Sequence, residues 1–420
     1  MDIKINLNKL IGLLTLFGIL LLETQFFHLI TLTYNNSYRK HLIVFIIAIS
    51  FFLLLNKFIG YHKFKFNGFV LSFFIIFIID FLISLYRYNL DIITLFLNSN
   101  HYLIIFASYI IVYCMNAIGK NLVLKVFMVF TLISSVLLIT QYLLFPSTGF
   151  FLAIENQSNF RFGSLRITQG EGLINIVTVL SFGLLLNRDT KSKILPLLTF
   201  TFGFLELFLV QKTRMAILCV VLACLVLLII KYFKNIGKTY LLFILMVFLV
   251  FLLQHLGILE KYLSSFTSNS YSFSAQNRNE AIAFYLGQLK EYIIFGMGFP
   301  PLDSVLVKGY SGTFYKDDVG IIGYLNTFGT VGLVWYIVLL IALLKVLIKS
   351  MILKTVSYNF ETLGLVMYVI FTSGTLIITD PQRIIALPIL LALFHNNYSF
   401  NKDYQKNQRG EIDENRKKLV

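Results

Sequence analysis

Twelve stretches of this 420-residue chain are apolar over enough length to cross a lipid bilayer, and that excludes most other folds. A crossing needs about 20 apolar residues. Inside hydrocarbon every backbone N–H and C=O must be bonded within the protein, so continuous apolar runs read as α-helices. The candidates are roughly 10–33, 41–59, 67–86, 101–118, 122–146, 171–187, 194–211, 214–232, 239–256, 319–347, 358–378 and 382–397, with Gln211-Lys212-Thr213-Arg214 separating the seventh from the eighth. The expected fold is an all-α polytopic integral membrane protein of about twelve transmembrane helices. Residues 1–256 hold the first nine, with an external loop at about 147–170. Residues 257–318 form a large extracytoplasmic loop containing an amphipathic helix, 319–397 hold the last three spans, and 398–420 form a polar cytoplasmic tail.

Only 13% of residues are charged, against about a quarter in soluble domains. The net charge of +15 therefore does not point to nucleic acid, because most lysines lie in short links between apolar runs, where they set topology. Lys4 and Lys9 precede a first run too long for a signal peptide and without a small-residue cleavage site, so it reads as a retained span. Cys114, Cys219 and Cys224 all fall inside apolar runs, which supports neither a disulfide framework nor a thiolate metal site.

With the N-terminus in the cytoplasm, 22 of the 35 Lys and Arg residues fall inside and 13 outside, five of the latter in the long loop. Both termini are expected to be cytoplasmic. The residue types divide differently. Nineteen of the 22 inner cations are Lys, whereas seven of the 13 outer ones are Arg: Arg39, Arg87, Arg161, Arg166, Arg214, Arg278 and Arg383. Topology needs only charge, and Lys supplies it. A guanidinium adds a planar fork that binds phosphate bidentately. Snorkelling at span ends accounts for single arginines; Arg161, Arg166, Arg214, Arg278 and Arg383 together point to an anionic ligand at the outer face.

The outer loops carry further polar groups. In 257–318, Ile282, Leu286, Leu289 and Ile293 mark one face of a helix over 274–295, with Asn277 and Glu280 as a capping box and Arg278 in the first turn. Gly296-Met297-Gly298-Phe299-Pro300-Pro301 ends it. Asp317 and Asp318 stand just before the tenth span, placed to act as a base, to hold a sugar hydroxyl, or only to cap a helix. Glu23, Asp80 and Glu206 lie within spans, and Glu171 opens the sixth; each is a candidate partner for an arginine. The loops show no DxD motif and no His/carboxylate cluster, so no metal and no cofactor is expected.

Three segments in this order resemble the O-antigen polymerase and ligase superfamily of bacterial glycan assembly. Lys212-Thr213-Arg214-Met215-Ala216 looks like the family's Ser/Thr-Arg-small motif opening a span. Arg278, the following helix and Phe295-Gly296-Met297-Gly298-Phe299 look like its loop motif. Asp318-Val319-Gly320 through Leu325-Asn326-Thr327-Phe328-Gly329-Thr330-Val331-Gly332-Leu333 looks like its returning segment. The resemblance implies transfer of a glycan from undecaprenyl diphosphate to a hydroxyl at the outer face of the plasma membrane. Arg161, Arg166, Arg214, Arg278 and Arg383, with Glu171, would bind substrate, and Asp317 or Asp318 would orient or deprotonate the acceptor. The implied partners are the bilayer, the undecaprenyl-diphosphate-linked oligosaccharide, a chain-length regulator and a flippase. The family's lipopolysaccharide ligases carry a functional His in the large loop; here none of the six His residues falls within 257–318, although His255 lies near its start. The expectation is a metal-independent glycosyltransferase that polymerises lipid-linked repeat units for capsule, exopolysaccharide or O-antigen. The alternatives are a ligase moving finished polymer to another acceptor, and a flippase or transporter of lipid-linked oligosaccharide. A transporter would be expected to show internal repeats, and none is visible between the halves.

Overall fold

A computed structural model describes residues 7–29, 43–50, 64–154, 158–161, 164–168, 170–187, 190–232, 269–352, 359–374 and 376–397. The expected ninth span at 239–256, the loop up to residue 268 and the tail at 398–420 lie outside them, as do both extreme termini. Helices dominate: α1 (Leu7–Glu23), α2 (43–50), α3 (Asn67–Tyr88), α4 (Ile92–Ser99), α5 (Ala107–Ile118), α6 (Lys120–Thr148), α7 (Glu171–Leu186), α8 (Ile194–Glu206), α9 (Arg214–Tyr232), α10 (Asn269–Leu289), α11 (Ile321–Ile352), α12 (Phe360–Thr372) and α13 (386–397). Six helical stretches among the described residues are long and apolar enough to cross a membrane: Asn67–Tyr88, Ile92–Ile118, Lys120–Thr148, Ile194–Gln211, Arg214–Tyr232 and Ile321–Ile348. Glu171–Leu186 and Phe360–Thr372 are apolar but shorter.

Three of these helices are interrupted, each next to polar residues. Between α4 and α5 the chain tightens into a 3-10 segment, Asn100–Phe106. After α8 it widens into a π turn, Leu207–Gln211, closed by Lys212 at φ 52°. Within α11 it breaks at Gly329, φ 61°. Such local departures from α geometry are common at functional sites in helical proteins. The expected all-helical architecture has one exception. Part of the 147–170 loop forms an antiparallel hairpin, β1 (Ser158–Arg161) with β2 (Ser164–Ile167), in which Asn159 faces Arg166.

Two polar clusters form from residues that the charge pattern assigns to opposite sides. At one, Lys120 Nζ lies 2.8 Å from Glu361 and 3.2 Å from Asn397 Oδ1, and Asn187 donates to Glu361. At the other, Arg166, Glu171, Thr213, Asp380 and Arg383 meet.

The two glycine-bearing motifs interlock backbone to backbone. Met297 N–H donates to Asn326 O at 2.7 Å and Gly298 N–H to Thr327 O at 3.0 Å, while Thr330 N–H donates to Ile293 O at 2.8 Å. The break at Gly329 frees these α11 carbonyls and amides for partners outside the helix. A Cβ on Gly329 would run into Ile294 O, and one on Gly296 would sit 2.5 Å from Thr327 O, so neither position admits a side chain. Arg87 clamps the loop from α3, donating to Gly296 O at 3.0 Å and Met297 O at 3.1 Å, with its guanidinium 4.0 Å from the Tyr292 ring centroid. Phe299 then enters an aromatic cluster with Phe77, Tyr102 and Phe328.

Two local expectations need correction. Helix α10 begins at Asn269, so Asn277 is not its N-cap and Arg278 is not in its first turn. Asn277 instead brackets Thr313, donating to its carbonyl at 3.2 Å and accepting from its hydroxyl at 3.0 Å, and Glu280 accepts from Gln276. The buried face of α10 is Ala281, Tyr285 and Leu289, whereas Leu286 and Ile293 are exposed. Tyr285 offers the larger ring and a hydroxyl that reaches Val307 O at 2.5 Å, which turns the helix by about one residue from its aliphatic stripe.

Candidate active site

Arg383 organises the buried charge at this end of the bundle. Its guanidinium bonds Glu171 at 2.9 Å and also bonds Asp380. All three side chains are buried. Asp380 Oδ1 further accepts from the backbone N–H of Gln382 and Arg383, fixing the turn that opens α13. This turn reaches Glu171 because Gly172 lacks a side chain; a Cβ there would collide with Gln382 O.

Arg166 joins the same group from the hairpin. Its Nε donates to Gln211 O at 2.8 Å and its Nη2 to Thr213 Oγ1 at 2.9 Å, and Thr213 Oγ1 lies 3.4 Å from Glu171 Oε2. The π turn presents Gln211 O for this contact. Lys212, next in sequence, folds back to donate to Leu165 O at 2.9 Å. Arg214 opens α9 one residue after Thr213 and is half-buried. Arg161 ends β1 opposite Ser164. Arg166 and Arg214 thus flank one threonine, an arrangement the separation of 166 and 214 in sequence conceals.

Two cavities adjoin, sharing Phe314 and Tyr315 as a wall. The first, of about 330 Å³, is lined by the 3-10 segment (Asn100, His101, Tyr102), by Gly298 and Phe299, by Tyr324 and Thr327 of α11, and by Lys316, Asp317 and Asp380. The second, of about 360 Å³, is lined by Asn277, Arg278, Thr313 and Asp318. The neighbouring carboxylates are therefore separated: Asp317 serves the first cavity and Asp318 the second, opposite Arg278. Among the described residues, Arg278 Nε is buried without a hydrogen-bond partner.

Asp317 is exposed and lines the first cavity. Partial loss of hydration at the cavity wall, reinforced by Asp380 and Asp318, pushes its carboxyl up to about 7 against the pull of Arg383 and Lys316. Burial brings the Lys316 ammonium down to about 8, opposed by Asp317. A carboxyl titrating near neutrality, in a cleft, can exchange a proton with a bound hydroxyl.

The structure thus brings together Arg166, Glu171 and Arg383, sets Asp317 in one cavity with Asp380, and places Asp318 in the other with Arg278. Sequence reasoning missed Asp380, whose signal was an Asp-Pro beginning three residues before Arg383 in an otherwise apolar region. It also missed Asn100, just before the expected span at 101–118, and Tyr102, which it counted into that span. Among the described residues no three His, Cys, Asp or Glu side chains gather as metal ligands. Comparison with protein-family models found no match for this chain, and comparison with curated proteins found no significant one.

Proposed function

We propose that this protein is a polymerase of lipid-linked oligosaccharide repeat units. It would span the plasma membrane about twelve times, with the large loop and both cavities on the outer face. The observation that carries the reading is the pairing, across a single aromatic wall, of an acid–base cavity with one that holds Arg278. Asp317 takes the proton of the acceptor hydroxyl as its oxygen attacks the anomeric carbon. The bond from that carbon to the diphosphate oxygen breaks, and its electron pair leaves with the polyprenyl diphosphate. Arg278, with an unused buried N–H, stabilises that developing charge. Arg166 and Arg214, either side of Thr213, are the next candidates for phosphate.

Arg383 is assigned a different part. With two carboxylates on its guanidinium it holds α7 and α13 together and sets Asp380 beside Asp317. The sequence resemblance supports the reaction class; the geometry supports the division of labour. The reading is tested by the glycan profile of a strain lacking the gene, run with its lipid-linked intermediates. Collapse of a ladder to exported single units is expected. Long chains retained on the carrier would indicate a ligase, single units trapped on the cytoplasmic leaflet a flippase, and an unchanged profile would remove glycan assembly altogether.

A further inference from the structure

The first cavity contains two polar atoms that the protein leaves unanswered. Asn100 is 2% exposed and Tyr324 is 3% exposed, yet Asn100 Nδ2 and the Tyr324 hydroxyl have no hydrogen-bond partner among the described residues. Both side chains line the cavity. Buried polar groups are nearly always satisfied, so a pair of orphans bordering one open space marks a place where something else completes them. Irregular backbone delivers them: Asn100 opens the 3-10 segment that interrupts the stretch Ile92–Ile118, and Tyr324 lies just before the α11 break.

The other walls narrow the ligand class. Rings of Tyr102 and Phe299, 5.6 Å apart, and of Tyr315 offer flat apolar surface. Lys308 and Lys316 stand with Asp317 and Asp380 on the polar side, so the cavity offers no surplus of cations for a diphosphate. The volume of about 330 Å³ lies at the small end of ligand cavities, which run from about 300 to 1,000 Å³. Aromatic faces, amide and phenol groups and a carboxylate in a small cavity fit a polyhydroxylated ring.

We propose that this cavity is the subsite for one neutral sugar ring, held by Asn100 Nδ2 and Tyr324 Oη with an apolar face against the aromatic wall. The inference rests on the glycosyl-transfer reading above and deepens it: the ring is the terminal sugar of the acceptor, and the hydroxyl nearest Asp317 is the nucleophile. The diphosphate belongs next door, with Arg278. Asn100 and Tyr324 then set which sugar is accepted.

The test uses the full-length protein in lipid nanodiscs and saturation-transfer NMR with a panel of free hexoses, N-acetylhexosamines and deoxyhexoses. At least one neutral sugar is expected to receive saturation from the wild-type protein, and inorganic pyrophosphate should leave that signal in place. Asn100→Ala and Tyr324→Phe should each weaken binding about tenfold, while melting no lower than wild type, since each removes an orphaned group and no protein bond. Absence of any sugar signal, full binding in both variants, or displacement by pyrophosphate would each overturn the subsite. A sugar signal lost in the variants, in a protein whose deletion leaves surface glycan unchanged, would retain the subsite and overturn the polymerase reading.

Discussion

Replacing Arg383 with alanine should destabilise the protein before it affects chemistry. Arg383 is 5% exposed, and its partners Glu171 and Asp380 are 1% and 2% exposed. Alanine leaves both carboxylates buried without a counter-charge. Removing one member of a buried ion pair costs about 3–5 kcal/mol. Because both carboxylates share one guanidinium the two losses do not simply add, yet even one is a large part of a typical net stability of about 5–15 kcal/mol. The assay is thermal stability of detergent-purified protein, read by size-exclusion chromatography after heating. Arg383→Ala should melt well below wild type. Arg383→Met combined with Glu171→Gln and Asp380→Asn should recover most of the loss, because a neutral trio of similar shape leaves no bare charge. If Arg383→Ala melts with the wild type and loses only glycan synthesis, the guanidinium is a substrate ligand and the structural role assigned to it is wrong.

Gly329→Ala should lower the melting temperature through two effects. A side chain at φ 61°, ψ −161°, a region essentially restricted to glycine, costs about 1–3 kcal/mol, and the new Cβ would push into Ile294 O. Gly312→Ala, also at positive φ but in open space, meets no such clash and should lower the melting temperature less. Asp317 must be ionised to accept a proton, so the transfer rate should rise with pH through about 7 and level above it. The raised value also means that between the ordinary 3.8 and about 7 the folded protein holds a proton the unfolded chain has lost, so stability should fall as pH rises across that window. Asp317→Asn should therefore be inactive yet at least as stable as wild type at neutral pH. Arg278→Ala should reduce polymer by about 10²-fold with normal protein levels, and Arg278→Lys should rescue little, because an ammonium lacks the fork; normal polymer from Arg278→Ala would exclude it from phosphate binding.

Much of the scaffold was legible because apolar length is read one residue at a time. The runs at 67–86, 122–146, 194–211 and 214–232 appear as helices within a few residues of their expected ends. The glycines of 296–298 and 329–332 were visible as motifs, but their mutual contact was not, because backbone pairing between remote segments leaves no periodic trace. The break at Asn100–Phe106 was hidden by neighbours that are apolar enough to continue a helix. Two arginines show the limit of charge counting. Arg87 and Arg383 stand out in sequence like Arg278, yet one is occupied by the carbonyls of Gly296 and Met297 and the other by two carboxylates. Only three-dimensional placement separates a cation already engaged from one that retains an unused donor.

Reconstitution decides between these readings of the site. Purified protein in proteoliposomes would be given lipid-linked single repeat units and the products sized on a gel. The wild-type protein should convert them to a ladder with release of polyprenyl diphosphate, and Asp317→Asn should leave them as single units. Single units persisting with the wild-type protein, or an undiminished ladder from Asp317→Asn, would show that the carboxylate cavity is not where glycosidic bonds are made.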